Sequence, residues 1–116
     1  MAASLRVLAN RTGRRIAVLG EMLELGEQTL AAHYKVGQQA ATSADVLLCY
    51  GPSGSEMEKG ALEGGMTSEQ AQAYTSKEDM AKALKQLAKP GDVILFKGSR
   101  GVRMEQVLDA FLMEEK

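Results

Sequence analysis

The sequence predicts an α/β fold in which helices cover both faces of a mainly parallel sheet. Short, almost wholly apolar runs alternate along the chain with stretches of helical periodicity. Continuous apolar runs of this kind are typical of parallel strands that are buried on both faces. The 116 residues, 45% of them hydrophobic, are enough for one compact core. Because the chain shows no internal repeat and no linker, we expect a single domain over residues 1–116.

The first predicted element is a helix over residues 1–10. Leu5, Leu8 and Ala9 follow helical spacing, and Gly13 ends the pattern. The first 20 residues carry four arginines and no acidic residue, as a mitochondrial transit peptide would. We favour an amphipathic helix packed on the domain, because an apolar strand follows almost at once.

Two strands and a helix come next. Residues 15–20 form an apolar run that ends in glycine, and residues 46–50 form a second run that a Gly-Pro turn closes. Between them, residues 27–43 follow helical spacing. Both runs therefore predict strands buried inside the sheet.

The second half of the chain continues the alternation. Ser76 is a suitable N-cap for one of its helices, with Asp79 three residues later, and Pro90 follows the end of that helix. The predicted elements are a short helix over 56–63, a weak strand over 71–74, a helix over 77–88, a strand over 92–96 and a helix over 102–113.

Composition excludes several classes of function. Fourteen basic and 15 acidic side chains give a net charge of −1, which predicts neither a nucleic-acid partner nor an anionic membrane surface. No apolar run approaches the roughly 20 residues of a membrane span. Cys49 is the single cysteine, so an internal disulfide is impossible, and with one histidine it makes no metal cluster. We expect a cytoplasmic protein and no metal site within the chain.

The informative residues should follow the strands, because ligands bind at the carboxyl ends of parallel strands. After the first strand, Glu21 and Glu24 lie between two glycines. Their carboxylates suit a cationic group or a hydrated metal, or they cap the following helix. After the second strand, Ser53 and its neighbours offer hydrogen-bond donors, but an ordinary turn needs the same residues. His33, inside a helix, is expected to be a structural hydrogen-bonding residue.

The stretch after the last strand carries the strongest chemical signal. Residues 97–101 read Lys-Gly-Ser-Arg-Gly and precede a helix. Glycines permit a tight turn whose successive N–H groups form an anion-binding nest. Lys97 and Arg100 add positive charge, and a guanidinium can bind a carboxylate or phosphate through two parallel hydrogen bonds. A phosphoacceptor receiver domain has a similar layout, but the aspartate it needs after its third strand is absent.

These loops together resemble one family. Residues 14–26 (RRIAVLGEMLELG), the AHYKVG stretch at 32–37 and the KGSR stretch at 97–100 are similar to the C-terminal domain of the Mur ligases. The similarity is to the MurF group, which adds D-Ala-D-Ala to UDP-N-acetylmuramoyl-tripeptide in peptidoglycan synthesis. It runs over nearly the whole chain, and the start resembles the sequence that follows the family's Asn-Ala-Asn-Pro-Asp-Ser motif.

The resemblance implies a Rossmann-like three-layer sandwich that forms the last of three domains in an ATP-dependent amide ligase. In such enzymes ATP phosphorylates the tripeptide's terminal carboxylate, and the dipeptide amine then attacks the acyl phosphate. The N-terminal domain holds the UDP-sugar, and the central domain holds the phosphate loop and Mg²⁺. This chain has neither, so we expect it to be inactive by itself, with ATP and Mg²⁺ bound mainly by the central domain.

The resemblance also implies roles for particular residues. Arg100 and the amides of Ser99 and Gly101 are expected to bind the dipeptide carboxylate. Lys97 and Gly98 are expected near a phosphate of ATP or of the acyl phosphate, and the two acids after the first strand, Glu21 and Glu24, near the dipeptide ammonium. No catalytic residue and no metal ligand is assigned to this chain. The alternatives are a free-standing module that binds small anions and a structural domain without a ligand.

Overall fold

A computed structural model describes residues 2–22, 26–98 and 102–112. In chain order the elements are α1 (Ala2–Ala9), β1 (Arg15–Leu19), a 3₁₀ turn (Gly26–Gln28), α2 (Thr29–Ser43), β2 (Val46–Tyr50), α3 (Gly54–Glu63), β3 (Ala71–Tyr74), α4 (Lys77–Leu87), β4 (Val93–Lys97) and α5 (Glu105–Leu112). The predicted alternation of strands and helices is therefore confirmed. No helix within these described ranges is both long and apolar enough to cross a membrane.

The four strands form one parallel sheet in the order β3-β2-β1-β4. After β1 the chain adds β2 and β3 on one side, and it then returns to place β4 on the other side of β1. The carboxyl ends of β1 and β4 therefore form a topological switch point, which is where open α/β sheets bind their ligands.

The sheet is the middle of three layers, as the predicted fold class requires. Successive strand residues point to opposite faces. In β1, Ala17 and Leu19 join the core beneath α1, α2 and α3, whereas Ile16 and Val18 join the core beneath α4 and α5. All four are fully buried, which explains why this strand has no polar alternation.

Helix α1 confirms the interpretation of the N-terminal segment as part of the domain. Leu5 and Leu8 are 1% and 3% exposed and belong to the core on the α1–α3 face. Two of the arginines that follow act at the amino ends of the strands. Arg14 pairs with Asp92, and Arg15 pairs with Asp45.

Two predicted boundaries near the last strand were wrong by a few residues. Strand β4 spans Val93–Lys97, one residue later than predicted, because the Asp92 carboxylate caps the preceding turn by accepting the Lys89 N–H. Helix α5 begins at Glu105 rather than at residue 102, since Arg103 has a φ of 56°, outside the helical region. Lys97 is thereby the last residue of a strand and not the first residue of a loop.

Candidate functional site

The loops that follow β1 and β4 begin in direct contact. Leu19 and Lys97 are paired across the two strands, and the Gly20 N–H donates to the Lys97 carbonyl at 2.7 Å. A Cβ atom at Gly98 would lie 3.1 Å from the Gly20 Cα. A Cβ atom at Gly20 would lie 2.6 Å from the Met104 Sδ. Glycine at both positions therefore lets the two predicted site loops start side by side at the switch point.

Glu21 is the predicted site residue whose surroundings are described most fully. Its Oε1 accepts a hydrogen bond from the Ser53 Oγ at 2.6 Å. Gly51 has a φ of 112°, and a Cβ there would lie 3.0 Å from the Glu21 Cβ. Glu21 does not act as a cap of α2, because its carboxylate is directed to the residue that precedes α3. The positive end of the α3 dipole favours an acid there.

Ser53 contacts a predicted site residue, Glu21, and the sequence did not reveal this contact. It precedes α3 and is 4% exposed, so its hydroxyl is buried against the Glu21 carboxylate. The sequence showed only a turn with Gly, Pro and Ser after β2. A buried serine near an acid becomes visible once β2 is known to lie beside β1, and that neighbour relation comes from the sheet order.

Lys97 and Gly98 lie at the other side of the switch point. Lys97 is exposed, and its alternation with Leu95 places it on the sheet face that α1, α2 and α3 cover. Gly98 is half-buried against Gly20 and Met104. The structure thus brings a cation, Lys97 at the end of β4, near an anion, Glu21 in the loop that follows β1.

Four of the predicted site residues, Glu24, Ser99, Arg100 and Gly101, lie outside the described residues. The residues on either side of positions 99–101 are described. Gly98 precedes them, and a Cβ there would lie 3.1 Å from the Gly20 Cα. Val102 follows them, and its Cγ1 would lie 3.0 Å from a Cβ at Gly20. Both flanking residues therefore lie beside Gly20. The anion nest itself remains a prediction.

His33 has the structural role that the sequence predicted for it. It is fully buried, and its Nε2 accepts the Met22 N–H at 2.8 Å. Its Nδ1 lies 2.5 Å from the Thr29 carbonyl oxygen. Because a carbonyl only accepts, Nδ1 carries the proton and Nε2 is the acceptor, which identifies the neutral Nδ1–H tautomer.

The other reactive side chain, Cys49, is not placed for chemistry. It is fully buried in β2, and this burial raises the pKa of its thiol far above the usual value. A thiol that stays protonated is a poor nucleophile. Among the residues that the structure describes, no group of three or more His, Cys, Asp or Glu side chains is arranged to hold a metal ion.

Cavities large enough for a small molecule occur away from the switch point. One, of about 270 Å³, lies against β2, β3 and α4 and includes Glu69 and Tyr74 in its lining. Another, of about 180 Å³, lies between α1 and the start of β4. Neither of these two cavities is lined by residues of the loops that follow β1 and β4.

Comparison with known proteins identifies the family. The sequence model described as "Mur ligase, glutamate ligase domain" matches residues 1–100. This chain belongs to the Mur ligase family. The match includes the loops after β1 and β4 up to Arg100, and the resemblance that those loops predicted is therefore confirmed.

Curated relatives of this Mur ligase domain carry one common name, UDP-N-acetylmuramoyl-tripeptide–D-alanyl-D-alanine ligase. The protein from Bacillus subtilis is 36% identical over 97 residues, which cover 83% of this chain and 21% of the relative. The protein from Escherichia coli is 34% identical over 113 residues, covering 95% of this chain and 24% of the relative. The chain thus spans about a quarter of the length of these ligases.

Solved structures show the same fold. The MurF ligase from Thermotoga maritima, determined in complex with ADP, is 31% identical, with a TM-score of 0.76 over 93% of this chain and 24% of that protein. MurF from Acinetobacter baumannii is 26% identical, with a TM-score of 0.82 over 94% of this chain and 24% of that protein. The parallel sheet with helices on both faces is the architecture of a Mur ligase domain.

Proposed function

We propose that this chain is the C-terminal domain of an ATP-dependent ligase that adds D-Ala-D-Ala to UDP-N-acetylmuramoyl-tripeptide. The observation that carries the proposal is the similarity, over 83% to 98% of the chain, to curated ligases that bear this name. The domain serves one cytoplasmic step of peptidoglycan synthesis. Its partners are the other domains of the same enzyme, which hold the UDP-sugar and the phosphate loop.

The reaction needs this domain to present the dipeptide to an activated acid. ATP transfers its terminal phosphoryl group to the tripeptide carboxylate, which releases ADP. The dipeptide's amino group then attacks the acyl carbon, the new C–N bond forms, and inorganic phosphate leaves. Holding the amine against the acyl carbon turns an encounter of two molecules into a reaction within one complex.

The charge pattern at the switch point supports this role. D-Ala-D-Ala is a zwitterion with a carboxylate at one end and an ammonium at the other. Arg100, with the Ser99 and Gly101 amides, binds the carboxylate, since a guanidinium and backbone N–H groups suit a planar anion. Glu21 and Glu24 attract the ammonium. The hydrogen bond from Ser53 fixes the Glu21 carboxylate in one orientation before substrate arrives.

Fewer residues of this domain are proposed to face the nucleotide than to bind the dipeptide. The solved MurF ligase from Thermotoga maritima is a complex with ADP. In our proposal Lys97 and Gly98 face a phosphate of ATP or of the acyl phosphate. In the same proposal Mg²⁺ is held mainly by the central domain, together with the phosphate loop. ATP activates the carboxylate, and the chain alone is expected to be inactive.

Fusion to the missing parts of a ligase tests the proposal. Residues 1–116 replace the matching C-terminal quarter of the Bacillus subtilis relative, and UDP-N-acetylmuramoyl-pentapeptide is measured by mass spectrometry. We expect ATP-dependent product only when D-Ala-D-Ala is present, and no product from the 116-residue chain alone. The same host with its own C-terminal domain is the positive control.

A folded fusion that binds the UDP-tripeptide but forms no pentapeptide would contradict the proposal. Binding of inorganic phosphate by the isolated chain, without ligation by the fusion, would favour the module that binds small anions. That module would use the same Lys97–Gly101 loop, so only the ligation assay separates the two functions.

A further inference from the structure

We propose that His33 is a positioning residue for the dipeptide site, which it serves by fixing the backbone of Met22, directly after Glu21, to the first turn of α2. The proposal rests on the function proposed above, in which Glu21 attracts the dipeptide ammonium. His33 touches no substrate in this account. It acts through the peptide group that follows Glu21.

The imidazole joins the segment after β1 to the first turn of α2. Through Nε2 it accepts the N–H of Met22, and through Nδ1–H it donates to the carbonyl of Thr29, the first residue of α2. Both ring nitrogens are thus used, and the ring is fully buried. A buried ring with two fixed partners holds one tautomer and one orientation.

A second contact fixes the far end of the same loop. The Thr29 hydroxyl donates to the Gly26 carbonyl at 2.7 Å. Met22, through His33, and Gly26, through Thr29, are therefore each attached to the first turn of α2. Glu21 immediately precedes the first of these two points.

Glu21 depends on this attachment for its direction. Its carboxylate is held by Ser53, while the peptide group that follows it is held by His33. The Met22 side chain also packs against the core on the α1–α3 face. Without the imidazole, a backbone N–H in a partly buried place loses its acceptor, and the loop gains freedom that substrate binding must remove.

Two substitutions separate the two hydrogen bonds. Gln at position 33 carries an amide oxygen near the place of Nε2, so His33→Gln keeps an acceptor for the Met22 N–H. Asn is shorter, so His33→Asn keeps a donor for the Thr29 carbonyl but does not reach Met22. We expect the Met22 amide to exchange with solvent about tenfold faster in His33→Asn than in wild type, and near the wild-type rate in His33→Gln. The Leu47 amide in β2 is the internal control.

In the full-length ligase, the kinetic constants show whether the attachment serves the dipeptide. We expect His33→Asn to raise KM for D-Ala-D-Ala about tenfold, with kcat and KM for the UDP-tripeptide near wild type. His33→Gln should restore most of the loss. Equal KM values for D-Ala-D-Ala in the wild type and both variants would overturn the proposal. So would a fall in kcat and a rise in both KM values that are the same in the two variants.

The outcomes also separate this inference from the proposed function. If the wild-type enzyme does not ligate D-Ala-D-Ala, the proposed function fails, while the Met22 exchange rates still decide whether His33 fixes the loop. If His33→Asn does not fold, the imidazole ¹⁵N shifts of the wild-type chain decide whether His33 makes these two hydrogen bonds. A protonated Nδ1 and an unprotonated Nε2 support the inference, and the opposite tautomer overturns it.

Discussion

At the scale of single residues, the ion pair between Arg14 and Asp92 joins three elements. The guanidinium donates to both carboxylate oxygens, at 3.2 and 2.6 Å, and also to the Leu87 carbonyl at the end of α4. Asp92 in turn accepts the Lys89 N–H. The pair therefore connects the residue before β1, the end of α4 and the residue before β4, at the edge of the sheet opposite the site.

The pH dependence of stability should report this pair. The hydrogen bond from Arg14, and then the Lys89 N–H, hold the pKa of Asp92 below its ordinary value. A carboxyl whose pKa is lower in the folded state stabilises the fold above its unfolded pKa of about 3.9, and this contribution disappears as pH falls through the folded pKa. Asp45, whose pKa Arg15 lowers, behaves in the same way.

Replacement of Asp92 by Asn should therefore reduce the acid sensitivity of the chain. We expect Asp92→Asn to lower the urea midpoint at pH 7 and to show a smaller further fall at pH 3 than the wild type. Asp109→Asn, at an exposed position on α5, is the control and should follow the wild type at both pH values. An Asp92→Asn chain with the full wild-type fall would show that the pair does not contribute to folding.

At the scale of elements, two glycines set how closely α2 and α3 pack. A Cβ at Gly37 would lie 2.0 Å from the Met57 carbonyl oxygen, and a Cβ at Gly60 would lie 2.0 Å from the Tyr34 carbonyl oxygen. The two contacts are reciprocal, since each glycine faces backbone of the other helix. The helices are therefore in backbone contact, which no residue with a side chain at these two positions would allow.

Gly60→Ala should lower the free energy of unfolding, whereas Gly to Ala in a helix usually raises it. In an open helix position, Gly to Ala stabilises by up to about 1 kcal/mol. Here we expect Gly60→Ala to lower the free energy of unfolding by about 2 kcal/mol, because the helices must separate. Urea unfolding of Gly60→Ala beside Ser55→Ala, an exposed control on α3, measures the difference. A more stable Gly60→Ala chain would contradict the close crossing.

The elements also show where sequence reasoning reached its limit. Strand β2 was predicted with its observed bounds, because an apolar run between turn residues is a local signal. The weaker strand β3 was also predicted with its observed bounds. Gly60 gave no comparable signal, since a glycine within a helix looks the same whether it faces solvent or another backbone. The hydrogen bonds from Met22 to His33 and from Ser53 to Glu21 were missed for the same reason. Each depends on which elements are neighbours.

At the scale of the whole molecule, the sheet order explains why the site lies where it does. The sequence predicted strand ends as the informative places, and the order β3-β2-β1-β4 selects the ends of β1 and β4 among them. Glu21, in the loop after β1, and Lys97, the last residue of β4, carry opposite charges. Two short motifs that lie far apart in the sequence are therefore neighbours at the switch point.

The hydrophobic cores lie on the two faces of the sheet, whereas the switch point lies where β1 and β4 end. The chain corresponds to about a quarter of the length of its relatives. In the function we propose, binding of a dipeptide to this domain alone should be weak, because closure of the other domains would supply the remaining contacts.

The most direct test of this account is KM for D-Ala-D-Ala in the ligase fusion described under the proposed function, measured for Glu21→Gln and Arg100→Ala. We expect each change to raise this KM by about 10- to 100-fold, the usual effect of losing a hydrogen bond to a charged group, with KM for the UDP-tripeptide unchanged. Glu69→Gln, before β3 at the opposite edge of the sheet, is the matched control. If both site variants keep the wild-type KM for D-Ala-D-Ala, these loops do not bind the dipeptide.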